Sequence, residues 1–144
     1  MLIDTHCHVS FEAYKGDVED VVKRALTEHV MMITVGTRLE TSLKAVKFAE
    51  DHDGVWATVG LHPGHVHAQD FVDENEVSAD AVAAGHKAEA FDPEAYRAML
   101  AHPKVVAVGE CGLDYYRLPP GVSAEKMKAD QKIACAEQLK LASE

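Results

Sequence analysis

A chain of 144 residues, 47% hydrophobic and 26% charged, has the size and composition of one globular domain with a sizeable core. Its net charge of −10 argues against a passive nucleic-acid binder built on a basic face, though not against an enzyme that meets phosphate through metal ions. No run approaches the roughly 18 apolar residues of a membrane span, and the start, MLIDTHCHVS, has neither a basic nor an apolar signal region.

The elements alternate. Leu2 to His8 reads as a first strand. Val18, Val21, Val22, Ala25 and Leu26 then recur at helical spacing and predict an amphipathic helix. Val30 to Gly36 is a short β-branched run, a second strand. Thr37 and Glu40 have the spacing of a capping box that opens a helix over Leu39 to Asp51. Gly54 marks a turn, and Val55 to Gly60 is a third strand. Asp92-Pro93-Glu94 supplies an N-cap and a first-turn proline for a helix ending near Ala101. Val105 to Gly109 is a fourth strand. Pro119-Pro120-Gly121 breaks the chain before a last helix from about Ala124. The chain stops at Glu144 still in helical pattern, so the fold is expected to end raggedly or to continue in another polypeptide. The order βαβαβαβα predicts a parallel sheet with helices packed outside it.

One segment departs from this pattern. Residues 63–92 hold seven acids and one lysine. A connection of that length is expected to be a functional loop, here an acidic insertion lying mobile over one end of the sheet rather than a packed extra helix.

The candidate chemistry sits at the strand ends. Asp4, His6 and His8 alternate along the first strand and are expected to share a face, where two imidazoles can converge on one metal ion. Glu110 follows Val106 and Val108 at the carboxyl end of the fourth strand, where β/α folds place active sites. Thr58, Gly60 and His62 end the third strand in the same way. Three of four strands thus deliver a metal-type or acid–base residue at one end, which independent chance explains poorly. Strand parity also assigns Thr34, Thr58, Val106 and Val108 to the sheet's inner face. His65 and His67 form a second H-x-H inside the acidic loop and are expected to be solvated. His29, His52, His86 and His102 read as surface residues. The three cysteines, without a C-x-x-C, read as reduced thiols in a cytoplasmic protein. Cys7 and Cys111 should pack towards the helices.

Several strings resemble a known family. Ile3-Asp-Thr-His-Cys-His8, Gly60-Leu-His-Pro63, Gly109-Glu-Cys-Gly-Leu-Asp-Tyr-Tyr116 and Gln131 with Gln138 are similar to the TatD-type metal-dependent deoxyribonucleases, amidohydrolase-like TIM barrels. The resemblance runs along nearly the whole chain. It implies a site for divalent metals, two of them, of Mg²⁺, Mn²⁺ or Zn²⁺ type. His6 and His8 would be ligands, Glu110 a ligand bridging the two ions, and His62 and Asp114 would line the substrate side. It implies hydrolysis of DNA by metal-activated water.

A TIM barrel takes about 250 residues, so the resemblance covers strands one to four, a (β/α)₄ half-barrel. The family's later histidines and its catalytic aspartate, the general base, fall outside these 144 residues. Activity is therefore expected to require a complementary C-terminal half, or self-association, to complete the barrel. A non-catalytic metal-binding or assembly fragment, and an amidohydrolase-like enzyme acting on a small amide or ester, are the alternatives.

Overall fold

In the computed structural model, which describes residues 1–69, 74–76 and 87–144, four parallel strands form one sheet in the order β1-β2-β3-β4. The elements are β1 (Leu2–Cys7), α1 (Val18–Thr27), β2 (Val30–Val35), α2 (Leu39–Asp51), β3 (Val55–Val59), α3 (Pro93–Leu100), β4 (Val105–Val108) and α4 (Ala124–Ala142). Short 3-10 turns occupy Glu12–Tyr14 and Pro63–His65. This is the alternation the sequence predicts. No helix among the described residues is long and apolar enough to cross a membrane.

Local chemistry sets the helix starts. The Asp92 carboxylate accepts hydrogen bonds from the amides of Glu94 and Ala95, with Pro93 in the first turn of α3. The Ser123 hydroxyl caps α4 by accepting from the Lys126 amide. Helix α2 departs from expectation. Its N-cap is Arg38, and the Thr41 hydroxyl accepts from the amides of both Thr37 and Arg38. Thr37 and Glu40 are therefore not a capping pair: Glu40 pairs with Lys44, and Thr37 is directed elsewhere.

Two apolar clusters fill the space between sheet and helices. One joins Val9, Val22, Met32, Ala45, Ala49, Val55 and Ala57. The other joins Val59, Leu61, Tyr96, Met99 and Leu141, behind β3. Cys7 packs against the first cluster, as expected, and burial pushes its thiol pKa up.

The register corrects the simple alternation. Met32 stands level with Val55 and Thr34 with Ala57, so Thr34 faces the helices rather than the inner face. Val108 stands level with Val59 and does the same, whereas Val35 and Ala107 share the inner face with Thr58. The register shifts once in each outer strand, between Asp4 and Cys7 in β1 and opposite Ala57 and Thr58 in β4. Asp4 therefore does not share the face of His6 and His8; its carboxylate instead accepts from the His6 amide. Irregularities of this kind re-aim side chains beside functional sites.

Of the acidic segment, residues 63–69, 74–76 and 87–92 are described. The rest, and with it the choice between a mobile loop and a packed helix, lies outside the described residues. The described pieces are packed down. The Asn75 carbonyl accepts from the Ala13 amide, the Glu89 carboxylate accepts from the Leu39 amide, and Glu76 is buried.

Candidate functional site

Every candidate lies at the carboxyl ends of the strands. His6 is the penultimate residue of β1 and His8 follows it directly. Glu110 lies two residues past β4, at φ 55°, a left-handed conformation rare for a side-chain-bearing residue. That turn, rather than alternation from Val106 and Val108, aims its carboxylate. Such local strain concentrates at functional positions.

These residues come together across the sheet. His6 Nε2 lies 2.6 Å and His8 Nε2 3.7 Å from Glu110 Oε1. One nitrogen of each histidine and one carboxylate oxygen of Glu110 all fall within 4.8 Å of one another, close enough to hold a metal ion. The His8 ring is fixed on two sides. It stacks on Phe11 with centroids 4.4 Å apart, and its Nδ1 lies 3.1 Å from the Val35 carbonyl oxygen. A carbonyl only accepts, so Nδ1 carries a proton and Nε2 is the nitrogen directed at Glu110. An outer hydrogen bond of this type orients metal-ligating histidines. The donor set, two imidazoles and a carboxylate, suits Zn²⁺ or Mn²⁺ and is compatible with Mg²⁺.

His62 and Asp114 line a cleft of about 450 Å³ together with His8 and Glu110. His62 Nδ1 accepts from the Gly64 amide at 3.0 Å, which leaves its proton on Nε2. The Asp114 carboxylate accepts from the Tyr116 amide, and the Gln131 side chain clasps the Asp114 backbone, accepting from its amide and donating to its carbonyl. The same Gln131 amide donates to the Pro63 carbonyl, beside His62. A second buried glutamine, Gln138, does likewise for Leu61, at 2.8 Å and 3.1 Å. Helix α4 thus clasps the loops after β3 and β4 by imitating a strand partner.

The cleft also contains residues the sequence did not place in the site. Thr37 and Arg38, after β2, line it, so the fourth strand end contributes too. His65 and Glu76 line it as well. The expectation that His65 and His67 are solvated is wrong: their side chains are 15% and 13% exposed, and His67 Nε2 lies 3.1 Å from Asp130 on α4. Of the other histidines, His29 is exposed, His52 is half-buried with its ring stacked on Phe48, and His86 lies outside the described residues. A polar residue at the end of β2 was a readable signal for Arg38. Nothing in the sequence marks Glu76 among seven acids.

The fold and its neighbours define half of a TIM-type (β/α)₈ barrel. The solved structure of YjjV, a TatD homolog from Escherichia coli K12, superposes with a TM-score of 0.67 at 31% identity, covering 98% of this chain and 46% of that one. The chain belongs to the TatD related DNase family, whose family model matches residues 3–144. It is 33% identical to the uncharacterized metal-dependent hydrolase YabD of Bacillus subtilis over 98% of this chain and 48% of that protein. It is 31% identical to the 3′-5′ ssDNA/RNA exonuclease TatD of Cronobacter sakazakii over 99% of this chain and 45% of that protein. The chain spans about half the length of the curated relatives it matches.

Proposed function

We propose that this chain is the metal-holding half of a phosphodiesterase that hydrolyses DNA, and that a complementary half completes it. The convergence of His6, His8 and Glu110 from opposite edges of the sheet onto one point carries the reading. These three residues would hold divalent metal, one ion or a pair. When bound, the metal supplies Lewis acidity towards water and phosphoryl oxygen.

The chain's own residues do the rest. The Val35 carbonyl holds His8 in the tautomer that presents Nε2. The proton on His62 Nε2, dictated by the Gly64 amide on the other nitrogen, is available to a phosphate oxygen in the cleft. The Asp114 carboxylate, fixed by the Tyr116 amide, bounds the substrate side. The general base is expected from the complementary half, which would pair with the open edges of β1 and β4. Without it, DNA digestion should stay at background, since a general base alone contributes about 10²–10⁴ in rate.

The test is calorimetric titration of Zn²⁺ or Mn²⁺ into the chain and its His6→Ala/His8→Ala variant. The parent should bind and the variant should lose most of its affinity. Equal binding by both would overturn the assignment.

A further inference from the structure

Glu76 is out of place for an acid in a solvated loop. It is 8% exposed, and its carboxylate lies in the same cleft as His8, His62, Glu110 and Asp114. Its neighbours are those of a bound anion. One oxygen accepts a hydrogen bond from the Thr37 hydroxyl. The other lies 3.7 Å from His65 Nε2. Arg38 Nε is 3.8 Å from the first oxygen and, although buried, has no hydrogen-bond partner among the described residues.

The cleft is lined by both signs of charge. Glu110 and Asp114 line it as acids and Arg38 and Arg117 as cations, and Thr37, Arg38 and His65 meet at the Glu76 carboxylate. Arg38 Nη2 pairs separately with the exposed Glu40 at 3.2 Å. A guanidinium nitrogen, an imidazole nitrogen and a hydroxyl converging on two oxygens are the donors that recognise phosphate, and a planar carboxylate fills that role with fewer oxygens and a looser fit. The 3.8 Å separation leaves Arg38 Nε short of a full hydrogen bond to Glu76.

We propose that Thr37, Arg38 and His65 form an anion subsite for a phosphate group of a nucleic-acid substrate, and that the Glu76 carboxylate stands in for that phosphate until substrate displaces it. This rests on the reading of the cleft as a substrate site. It does not require metal, so it can fail while the metal site stands. Glu76 then acts as a competitor held within the chain. It lowers the apparent affinity for phosphate by the fraction of molecules in which Glu76 occupies the subsite.

The experiment uses the whole chain, stripped of metal by chelation and desalted. Inorganic phosphate and a thymidine dinucleotide, which carries one phosphodiester, are titrated into the parent, Glu76→Gln, and Glu76→Gln/Arg38→Met. Glutamine keeps an acceptor for Thr37 and removes the charge, and methionine keeps an apolar stem in place of the cation. Glu76→Gln should bind both probes at least about tenfold more tightly, the scale of one charge-assisted hydrogen bond. Adding Arg38→Met should abolish that increase. If Glu76→Gln does not fold, judged by its thermal melt, Glu76→Ser takes its place with the same expectation. Unchanged affinity in the Glu76 variant, or an increase that survives loss of Arg38, would overturn the proposal. Tighter binding of inorganic phosphate without tighter binding of the dinucleotide would overturn the assignment to nucleic-acid substrate. The Zn²⁺ titration, run on Glu76→Gln, tests the metal reading separately.

Discussion

The inner strands of the sheet are largely closed to solvent, and the outer strands are more open to it. Val55, Ala57 and Val59 of β3 have no exposed surface, and Val35 of β2 has almost none. In β1 the first five residues are exposed, with Ile3 at 51%, and Val106 in β4 is at the same value. Packing strength therefore resides in β2 and β3, where helices cover one face and neighbouring strands cover both edges. The candidate ligands reside on β1 and just past β4. These strands are at opposite edges of the sheet, yet His6 and Glu110 meet at 2.6 Å. Only a sheet that keeps its barrel curvature brings its two edges that close. The buried inner strands impose the curvature, and the open outer strands use it.

The sharpest way to break this arrangement is at the inner strands' carboxyl ends. A Cβ added to Gly60 would fall 1.8 Å from the Gly109 carbonyl oxygen, and one added to Gly109 would fall 2.6 Å from the Thr58 hydroxyl. The backbones after β3 and β4 touch there, which steers Glu110 towards β1. Gly60→Ala should destabilise the chain by about 3 kcal/mol or more, at the upper end of overpacking. Urea denaturation measures it, and a stability within error of the parent would show that the backbones do not meet.

Next in size is the glutamine clasp. Gln138 is 1% exposed and serves both the amide and the carbonyl of Leu61. Gln138→Leu keeps the bulk but leaves both groups buried without that partner, at about 1 kcal/mol each where the site relaxes around them. The same denaturation assay should place this variant below the parent and above Gly60→Ala. Parity with the parent would mean that the Leu61 backbone finds other partners.

The outer strands give the third prediction. Among the described residues the outer edges of β1 and β4 have no strand partner, an arrangement that templates pairing. Light scattering after size exclusion should find a species larger than 15.7 kDa for the isolated chain, or a complex with a complementary half when one is supplied. A monodisperse 15.7 kDa species that ignores the complementary half would refute the reading of these edges as docking edges.

Much of this was legible in the sequence because it depends on local order. Apolar runs located all four strands, and periodicity, an N-cap with its proline and a Pro-Pro-Gly break located helices α1, α3 and α4. The strings around His6, His8, Glu110, His62 and Asp114 located the residues the structure gathers at one end. What strand parity missed was the pair of register shifts, which move Thr34 and Val108 to the helix side and separate Asp4 from the histidines. A shift adds one residue without a compositional mark, since Thr5 and Val106 are ordinary strand residues. Glu76 was illegible for a different reason. Its burial follows from its approach to Thr37, Arg38 and His65, the first 39 residues away in sequence, and no periodicity reports pairings of that range.

The smallest effect belongs to the helix layer, behind the closed strands. Arg97 on α3 donates from Nε and Nη2 to the two Glu144 oxygens, at 2.7 Å and 2.9 Å, a bidentate pair with good geometry. These hydrogen bonds hold the Glu144 carboxyl below its ordinary range; slight desolvation opposes the shift, and the nearby charges of Arg97 and Lys140 assist it. A carboxyl whose folded pKa is depressed adds stability above its unfolded pKa and loses it as pH falls through the folded value. Arg97→Ala should therefore melt slightly below the parent at neutral pH, and the gap should close on acidification below the ordinary carboxyl range. Both side chains are more than a third exposed, so water and salt screen the pair and the gap should also narrow in molar salt. A gap that widens in acid would mean that Arg97 acts through its packed stem rather than through Glu144. A gap as large as that of Gln138→Leu would mean that the α3–α4 contact, rather than the clasp on the strand ends, holds α4 against the sheet.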